Sequence, residues 1–199
     1  MQIYRATISK EEISVMPQLS CEGKKILVVD NLESAYKECK ILMKREILGF
    51  DTETRPSFRK GETHKVSLLQ LADEQCCWLF RLNKIDFPGA LADLITAERP
   101  VKIGLSVKDD YRRMAQRAPI TPHGFVDLQQ EVKKIGIAEL GLQKIYAIMF
   151  GKRISKTSRL SNWDADILQP KQMEYAAIDA WACLDIYKKL CDELQKNIS

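Results

Sequence analysis

The chain has 199 residues, of which 45% are hydrophobic and 29% charged, and its formal net charge is +4. This composition is typical of a soluble globular protein, and no stretch resembles a low-complexity or disordered segment. The sequence contains no run of eighteen apolar residues and no signal-peptide pattern at its start. It therefore predicts a cytoplasmic protein without a membrane span.

Cysteine and histidine usage argues against a zinc site. The six cysteines include no C-x-x-C pair, and His64 and His123 are the two histidines of the chain. Cys76 and Cys77 are adjacent in an apolar stretch, where a strand would point them to opposite faces. The cysteines are thus predicted to be reduced, small core residues rather than zinc ligands or disulfides.

The hydrophobic pattern predicts a lead-in arm, residues 1–24, followed by one domain, residues 25–199. Strands are expected at 25–29, 45–54, 65–72, 76–82, 101–104 and 125–128. Helices are expected from 32, from 88, and at 108–117, 128–135, 139–150 and 171–195. Early strands followed by interleaved helices indicate a mixed sheet flanked by helices, with an antiparallel meander among its first strands.

The most informative stretch is Ile47–Thr54, an apolar run that ends in Asp51 and Glu53. Alternate side chains of a strand share a face, so these two carboxylates would lie side by side. Such a pair needs a positive partner, and a divalent cation such as Mg²⁺ or Mn²⁺ suits carboxylate oxygens. The alternative interpretation is that both residues mark the turn after the strand.

Two further acidic stretches follow. Asp109 and Asp110 begin a predicted helix, where acidic residues also serve as ordinary caps that complement the helix dipole. Tyr175 and Asp179 are four residues apart, so they share one face of the last helix. That face is otherwise apolar, and a buried carboxylate there needs either a metal ion or a basic partner.

Together these stretches resemble the three exonuclease motifs of the DEDDy group, namely Phe50–Glu53, Ile103–Asp110 and Tyr175–Asp179. The resemblance is to RNase D-like proteins and to the exonuclease domain of the Werner syndrome helicase. It spans about residues 25–194. Its lesser features are Leu69–Leu71, Phe125–Leu128, Leu140–Leu142 and Leu160–Trp163.

The resemblance implies a ribonuclease H-like fold, an α/β architecture whose mixed five-stranded sheet begins with three antiparallel strands and carries helices on both faces. The family spacing from Gly104 through Val107 selects Asp110 as the third ligand, which leaves Asp109 as a bystander or helix cap. Tyr175, rather than a histidine, places the chain in the DEDDy branch.

The activity that the resemblance implies is metal-dependent 3′-to-5′ exonuclease hydrolysis with two ions, Mg²⁺ or Mn²⁺, releasing nucleoside 5′-monophosphates. By the same resemblance, Asp51 bridges both ions, Glu53 and Asp179 complete the shell of the first, and Asp110 holds the second. Tyr175 would orient the attacking water. The expected partner is nucleic acid, either DNA or RNA, as a single strand or a duplex 3′ end.

Four further residues are candidate substrate contacts. Thr54 and Phe58 follow the carboxylate pair, and the Phe58 ring could stack on a terminal base or could be an ordinary loop residue. Lys156 and Arg159 belong to a basic loop that could bind phosphates or could simply be solvated. Two other classes stay open, a non-catalytic nucleic-acid-binding module on the same fold and a structural domain whose acidic residues form caps and ion pairs.

Overall fold

The computed structural model describes residues 4–195 and contains a six-stranded mixed sheet in the order β1-β4-β3-β2-β5-β6. The strands are β1 Lys25–Val29, β2 Ile47–Thr54, β3 Val66–Ala72, β4 Cys76–Phe80, β5 Val101–Gly104 and β6 Phe125–Asp127. The helices are α1 Lys10–Ser14, α2 Leu32–Leu42, α3 Leu82–Ile85, α4 Gly89–Thr96, α5 Val107–Met114, α6 Leu128–Glu131, α7 Leu142–Phe150 and α8 Pro170–Gln195, with a 3₁₀ turn at Val132–Ile135.

The predicted mixed sheet is present. It contains the six strands that the hydrophobic pattern predicts, so the count of five that the resemblance implies is wrong. The antiparallel meander consists of β2, β3 and β4, so it begins one strand later than the resemblance implies. Since α2 intervenes between β1 and β2, these strands do not form a hairpin. Instead β1 pairs in parallel with β4.

Helices cover both faces of the sheet, as predicted. On one face Leu48 and Phe50 of β2 join a core with apolar residues of α2, α4 and α5. On the other face Leu68 of β3 and Leu79 of β4 pack against α8, through Ala176 and its neighbouring alanines. Because side chains alternate along β2, its odd-numbered residues point toward α8.

Gly49 sets how closely α8 approaches the sheet. A Cβ atom built on Gly49 would lie 2.0 Å from the carbonyl oxygen of Ala180 and 3.2 Å from Cβ of Leu184. Any larger residue at this position would therefore collide with the helix backbone. The glycine brings β2 and α8 into direct contact, two residues from Asp51 on the strand and one residue from Asp179 on the helix.

The arm contains a short helix that the hydrophobic pattern did not predict. Ser9 and Glu12 form a capping box at the start of α1, in which the Glu12 amide donates to Ser9 Oγ at 3.1 Å and the Ser9 amide donates to Glu12 Oε2 at 2.9 Å. Ile8 and Ile13 pack against Ala147 of α7. The arm therefore lies against the domain, and the boundary at residue 25 stays a prediction.

Within residues 4–195, no helix is both long and apolar enough to cross a membrane. The cytoplasmic location stays a prediction.

Candidate active site

Three carboxylates converge where β2 meets α8. Asp51, Glu53 and Asp179 each offer an oxygen atom, and these three atoms all lie within 4.8 Å of one another. The strand alternation brings Asp51 and Glu53 to the face that α8 covers, and the close approach at Gly49 brings Asp179 to them. The pair that the sequence places side by side thus meets a third carboxylate from a distant part of the chain.

Asp110 stands apart from this group of three. It lies on α5, which packs against the other face of the sheet through Val107 and Met114. The Thr52 hydroxyl donates a hydrogen bond to Asp110 Oδ1 at 2.5 Å. Asp110 is therefore connected to the site through Thr52, the residue between the two acidic residues of β2.

The neighbouring Asp109 has the environment of a surface residue. Its side chain is 64% exposed and lies 3.4 Å from an Arg112 guanidinium nitrogen. Asp127 orients the helix that carries both aspartates, because its Oδ1 accepts a hydrogen bond of 3.0 Å from the Ser106 amide at the start of α5. The structure thus buries Asp110 and leaves Asp109 exposed, and the role of Asp110 as a ligand stays a prediction.

Burial and mutual repulsion make these carboxylates reluctant to ionise. Burial, together with Asp179, Glu53 and Asp110, raises the pKa of Asp51 well above its usual range. Burial, Asp179 and Asp110 raise the pKa of Glu53 to about 9, although Arg113 and Arg159 oppose the shift. Burial raises the pKa of Asp179 to about 7 and that of Asp110 to about 6. The cluster needs positive charge to ionise fully at neutral pH.

Tyr175 lies one helical turn before Asp179, and a hydrogen bond between the two lowers the pKa of Asp179 against the larger effect of burial. Its ring lies 6.1 Å from the buried ring of Trp163, measured between centroids. Burial and the negative charges of Asp179 and Glu53 raise the pKa of the Tyr175 phenol. The phenol therefore keeps its proton at neutral pH and can donate it to a hydrogen bond.

The donor set fits a divalent cation. Carboxylate oxygens are the ligands that Mg²⁺ and Mn²⁺ prefer, and a bound cation would relieve the repulsion within the cluster. Gln70 of β3 lies directly opposite Asp51 and is fully buried, yet neither polar atom of its side-chain amide has a hydrogen-bond partner among the described residues. Buried polar atoms without partners are uncommon, and this pair adjoins the carboxylates. Asp51, Glu53 and Asp179 are thus the residues that could hold a metal ion.

The candidate substrate residues lie in different surroundings. Lys156 and Arg159 line a cleft of about 640 Å³ that also contains Tyr175 and Asp179. Thr54 ends β2, and its buried hydroxyl has no hydrogen-bond partner among the described residues. Phe58 is 79% exposed in the loop after β2. The structure therefore brings the two basic residues to the carboxylates and leaves the Phe58 ring in solvent.

Sequence reasoning missed three residues that shape the site, Gly49, Thr52 and Arg113. An isolated glycine inside a strand pattern often marks the close approach of another backbone, so Gly49 did carry a signal. Thr52 points away from its two acidic neighbours, and the charge of Arg113 lowers the pKa of both Glu53 and Asp110. The contacts of Thr52 and Arg113 depend on how α5 packs, and the sequence contains no local pattern that predicts this packing.

Comparison with known proteins decides the family. Residues 26–195 match the 3′-5′ exonuclease family. The chain belongs to this family. The predicted resemblance and the predicted enzyme class, a 3′-5′ exonuclease, are thereby confirmed at the level of the family.

Two curated relatives illustrate this 3′-5′ exonuclease match. Exonuclease 3′-5′ domain-containing protein 2 of Drosophila melanogaster is 33% identical over 154 residues, which are 75% of this chain and 26% of that protein. The bifunctional 3′-5′ exonuclease/ATP-dependent helicase WRN of Mus musculus is 31% identical over 151 residues, 73% of this chain and 11% of that protein. The chain thus spans about a quarter or less of the length of these relatives.

A solved structure confirms the fold class. RNase D of Escherichia coli superimposes with a TM-score of 0.77 at 20% identity, covering 86% of this chain and 46% of that one. The ribonuclease H-like α/β fold of this exonuclease family member is therefore confirmed, with six strands in the sheet.

Proposed function

We propose that this chain removes nucleotides from the 3′ end of nucleic acids and releases nucleoside 5′-monophosphates. The observation that carries the proposal is the meeting of Asp51, Glu53 and Asp179 beside Tyr175 at one end of a basic cleft. Membership of the 3′-5′ exonuclease family and the names of its relatives support the same reaction. The chemistry is hydrolysis, in which a water oxygen bonds to phosphorus and the bond from phosphorus to the preceding 3′ oxygen breaks.

Asp51, Glu53 and Asp179 would hold one divalent cation, and Asp110 with Asp51 would hold a second, as predicted from the resemblance. Two such ions supply charge neutralisation at the attacking and leaving oxygens and make a water molecule more acidic. Mg²⁺ and Mn²⁺ are the proposed ions.

The protein's own residues would place the water and the substrate. Tyr175 keeps its phenolic proton, because its pKa is raised, so it would orient the attacking water and not act as the general base. Lys156 and Arg159 would neutralise phosphates in the cleft, as predicted. Thr54 and Phe58 stay proposed contacts for the terminal nucleotide, with Phe58 available to stack on a base.

The test is a cleavage assay on matched DNA and RNA oligonucleotides labelled at the 5′ end, single-stranded or with a duplex end. With Mg²⁺ or Mn²⁺ we expect progressive shortening, mononucleotide product and no cleavage in EDTA. Asp51→Ala should be inactive, and a 3′ end blocked by an inverted nucleotide should resist. If the blocked strand is cut as fast as the free one, the proposal is wrong. Binding without cleavage would favour the non-catalytic module.

The raised carboxylate pKa values give a second prediction, that metal ions stabilise the protein more as pH rises. Unfolded carboxyl groups have a pKa near 4, whereas the folded values are about 7 for Asp179 and about 9 for Glu53. The folded, metal-free protein therefore binds more protons, and the free energy of unfolding that these groups contribute falls as pH rises through this range. Metal ions must displace those protons, so their affinity rises with pH.

The measurement is the increase in melting temperature that saturating Mg²⁺ or Mn²⁺ causes at several values between pH 6 and 8. We expect a larger increase at pH 8 than at pH 6. Asp51→Ala is the control and should show little increase at either pH. An increase that is the same at both pH values in the unmodified protein would contradict a proton-linked carboxylate site.

A further inference from the structure

One side of the cleft beside Tyr175 and Asp179 is formed by residues that precede the family match. Lys10, Ile13 and Ser14 of α1 line the cleft, whereas the match begins at residue 26. These three residues recur at helical spacing, so one face of α1 borders the cleft. The remaining lining residues come from the start of α7, from the loop that precedes α8 and from α8, and they include Lys144, Lys156 and Arg159.

Hydrogen bonds hold the segment after α1 against the loop that precedes α8. The Leu19 amide donates to the Arg153 carbonyl and the Arg153 amide donates to the Pro17 carbonyl, both at 2.9 Å. Arg153 Nε donates to the Met16 carbonyl at 3.1 Å. The arm is therefore hydrogen-bonded directly to the loop that carries Lys156 and Arg159.

The charges of the cleft are largely unneutralised. Within residues 4–195, Lys10, Lys156 and Arg159 form no salt bridge with a carboxylate, and all three are exposed. Lys144 is different, since its Nζ lies 2.9 Å from Glu139 Oε1. Exposed cations around one concave surface attract a polyanion and focus its approach. The chemical class that fits is a phosphodiester chain.

We propose that α1 is part of the substrate-binding surface and that Lys10 contacts a phosphate of a single strand beyond the nucleotide being removed. This inference rests on the proposed function, because it places the 3′ end at Asp179 and Tyr175. The strand would run from these residues past Lys156 and Arg159 to the arm. Binding then depends on strand length, because a short substrate does not reach the arm.

The test uses fluorescence anisotropy with 5′-fluorescein oligothymidylate and oligouridylate of 12 nucleotides. All proteins carry Asp51→Ala, so that the probe is not cleaved and binding is measured whether or not the protein is an exonuclease. Adding Lys10→Glu should weaken binding of the 12-mer about tenfold and lower the salt dependence of binding. The loss should be smaller for a trinucleotide competitor. Adding Lys10→Arg should preserve binding.

The matched control is Lys37→Glu, the same change of charge on α2, which packs on the opposite face of the sheet. It should bind like the parent. Lys10→Glu should keep the parent's melting temperature, since an acidic residue in the first turn of α1 is compatible with the helix dipole. Unchanged 12-mer affinity in Lys10→Glu, an equal loss for the 12-mer and the trinucleotide, or the same loss in Lys37→Glu would overturn the inference. The expected binding by the Asp51→Ala proteins, together with no cleavage by the unmodified protein, would contradict the proposed function alone.

Discussion

Replacing Asp179 with asparagine should lower the rate of 3′ trimming by about 10³-fold or more and, in the absence of metal ions, raise the melting temperature. The loss of rate should exceed the 10–100-fold effect typical of residues that only support a metal ligand. The gain in stability follows because burial penalises the charged form of Asp179, and asparagine has nearly the same shape but no charge. Opposite changes in rate and stability would distinguish loss of chemistry from loss of folding.

The rate is measured on a 5′-labelled oligonucleotide with Mg²⁺, and the melting temperature is measured in EDTA at pH 8. Asp192→Asn is a matched control, since Asp192 lies on the same helix and is exposed. It should leave both quantities unchanged. Trimming at the normal rate by clean Asp179→Asn protein would remove Asp179 from the site.

Gly49→Ala should destabilise the protein by about 3 kcal/mol and weaken metal binding. Its new Cβ would lie 2.0 Å from the carbonyl oxygen of Ala180, and backbone cannot move aside as a flexible side chain does. Overpacking of this kind typically costs about 1–3 kcal/mol, and here it forces a strand and a helix apart. The separation would move Asp51 away from Asp179, so metal affinity should fall together with the free energy of unfolding.

Chemical denaturation gives the change in the free energy of unfolding, and titration with Mn²⁺ gives the metal affinity. The control is Gly89→Ala, because a Cβ on Gly89 would find only the Tyr36 hydroxyl, at an ordinary 3.9 Å. That variant lies at the start of α4 and should be as stable as the parent or slightly more so. A Gly49→Ala protein with parental stability would mean that β2 and α8 do not need this contact.

The sequence was most informative where local geometry alone fixes the position of a side chain. Strand alternation puts Asp51 and Glu53 on one face, and helical spacing puts Tyr175 and Asp179 on another, so both pairs could be predicted from neighbours in the chain. The family resemblance then supplied what local patterns lack, namely that the two pairs meet. Their convergence in the structure agrees with it.

Features that depend on contacts between distant segments could not be predicted from the sequence. Nothing near Lys25–Val29 indicates that β1 joins an edge of the sheet beside β4. The distance of Asp110 from the group of three carboxylates depends on the packing of α5, which the pattern of the helix does not specify. The contribution of Lys10 to the cleft requires the arm to fold back over α7, and a five-residue helix has too few residues for a clear periodicity.

The pairing of Gln18 with Arg153 has a practical consequence for engineering. It joins the arm to the loop before α8 as one module, whereas β2, α5 and α8 carry the carboxylates. A designer could exchange this module between related domains as a single graft, cutting on either side of the pairing rather than through it. Under the proposed function, such chimaeras would change the strand-binding surface while the carboxylates stay the same.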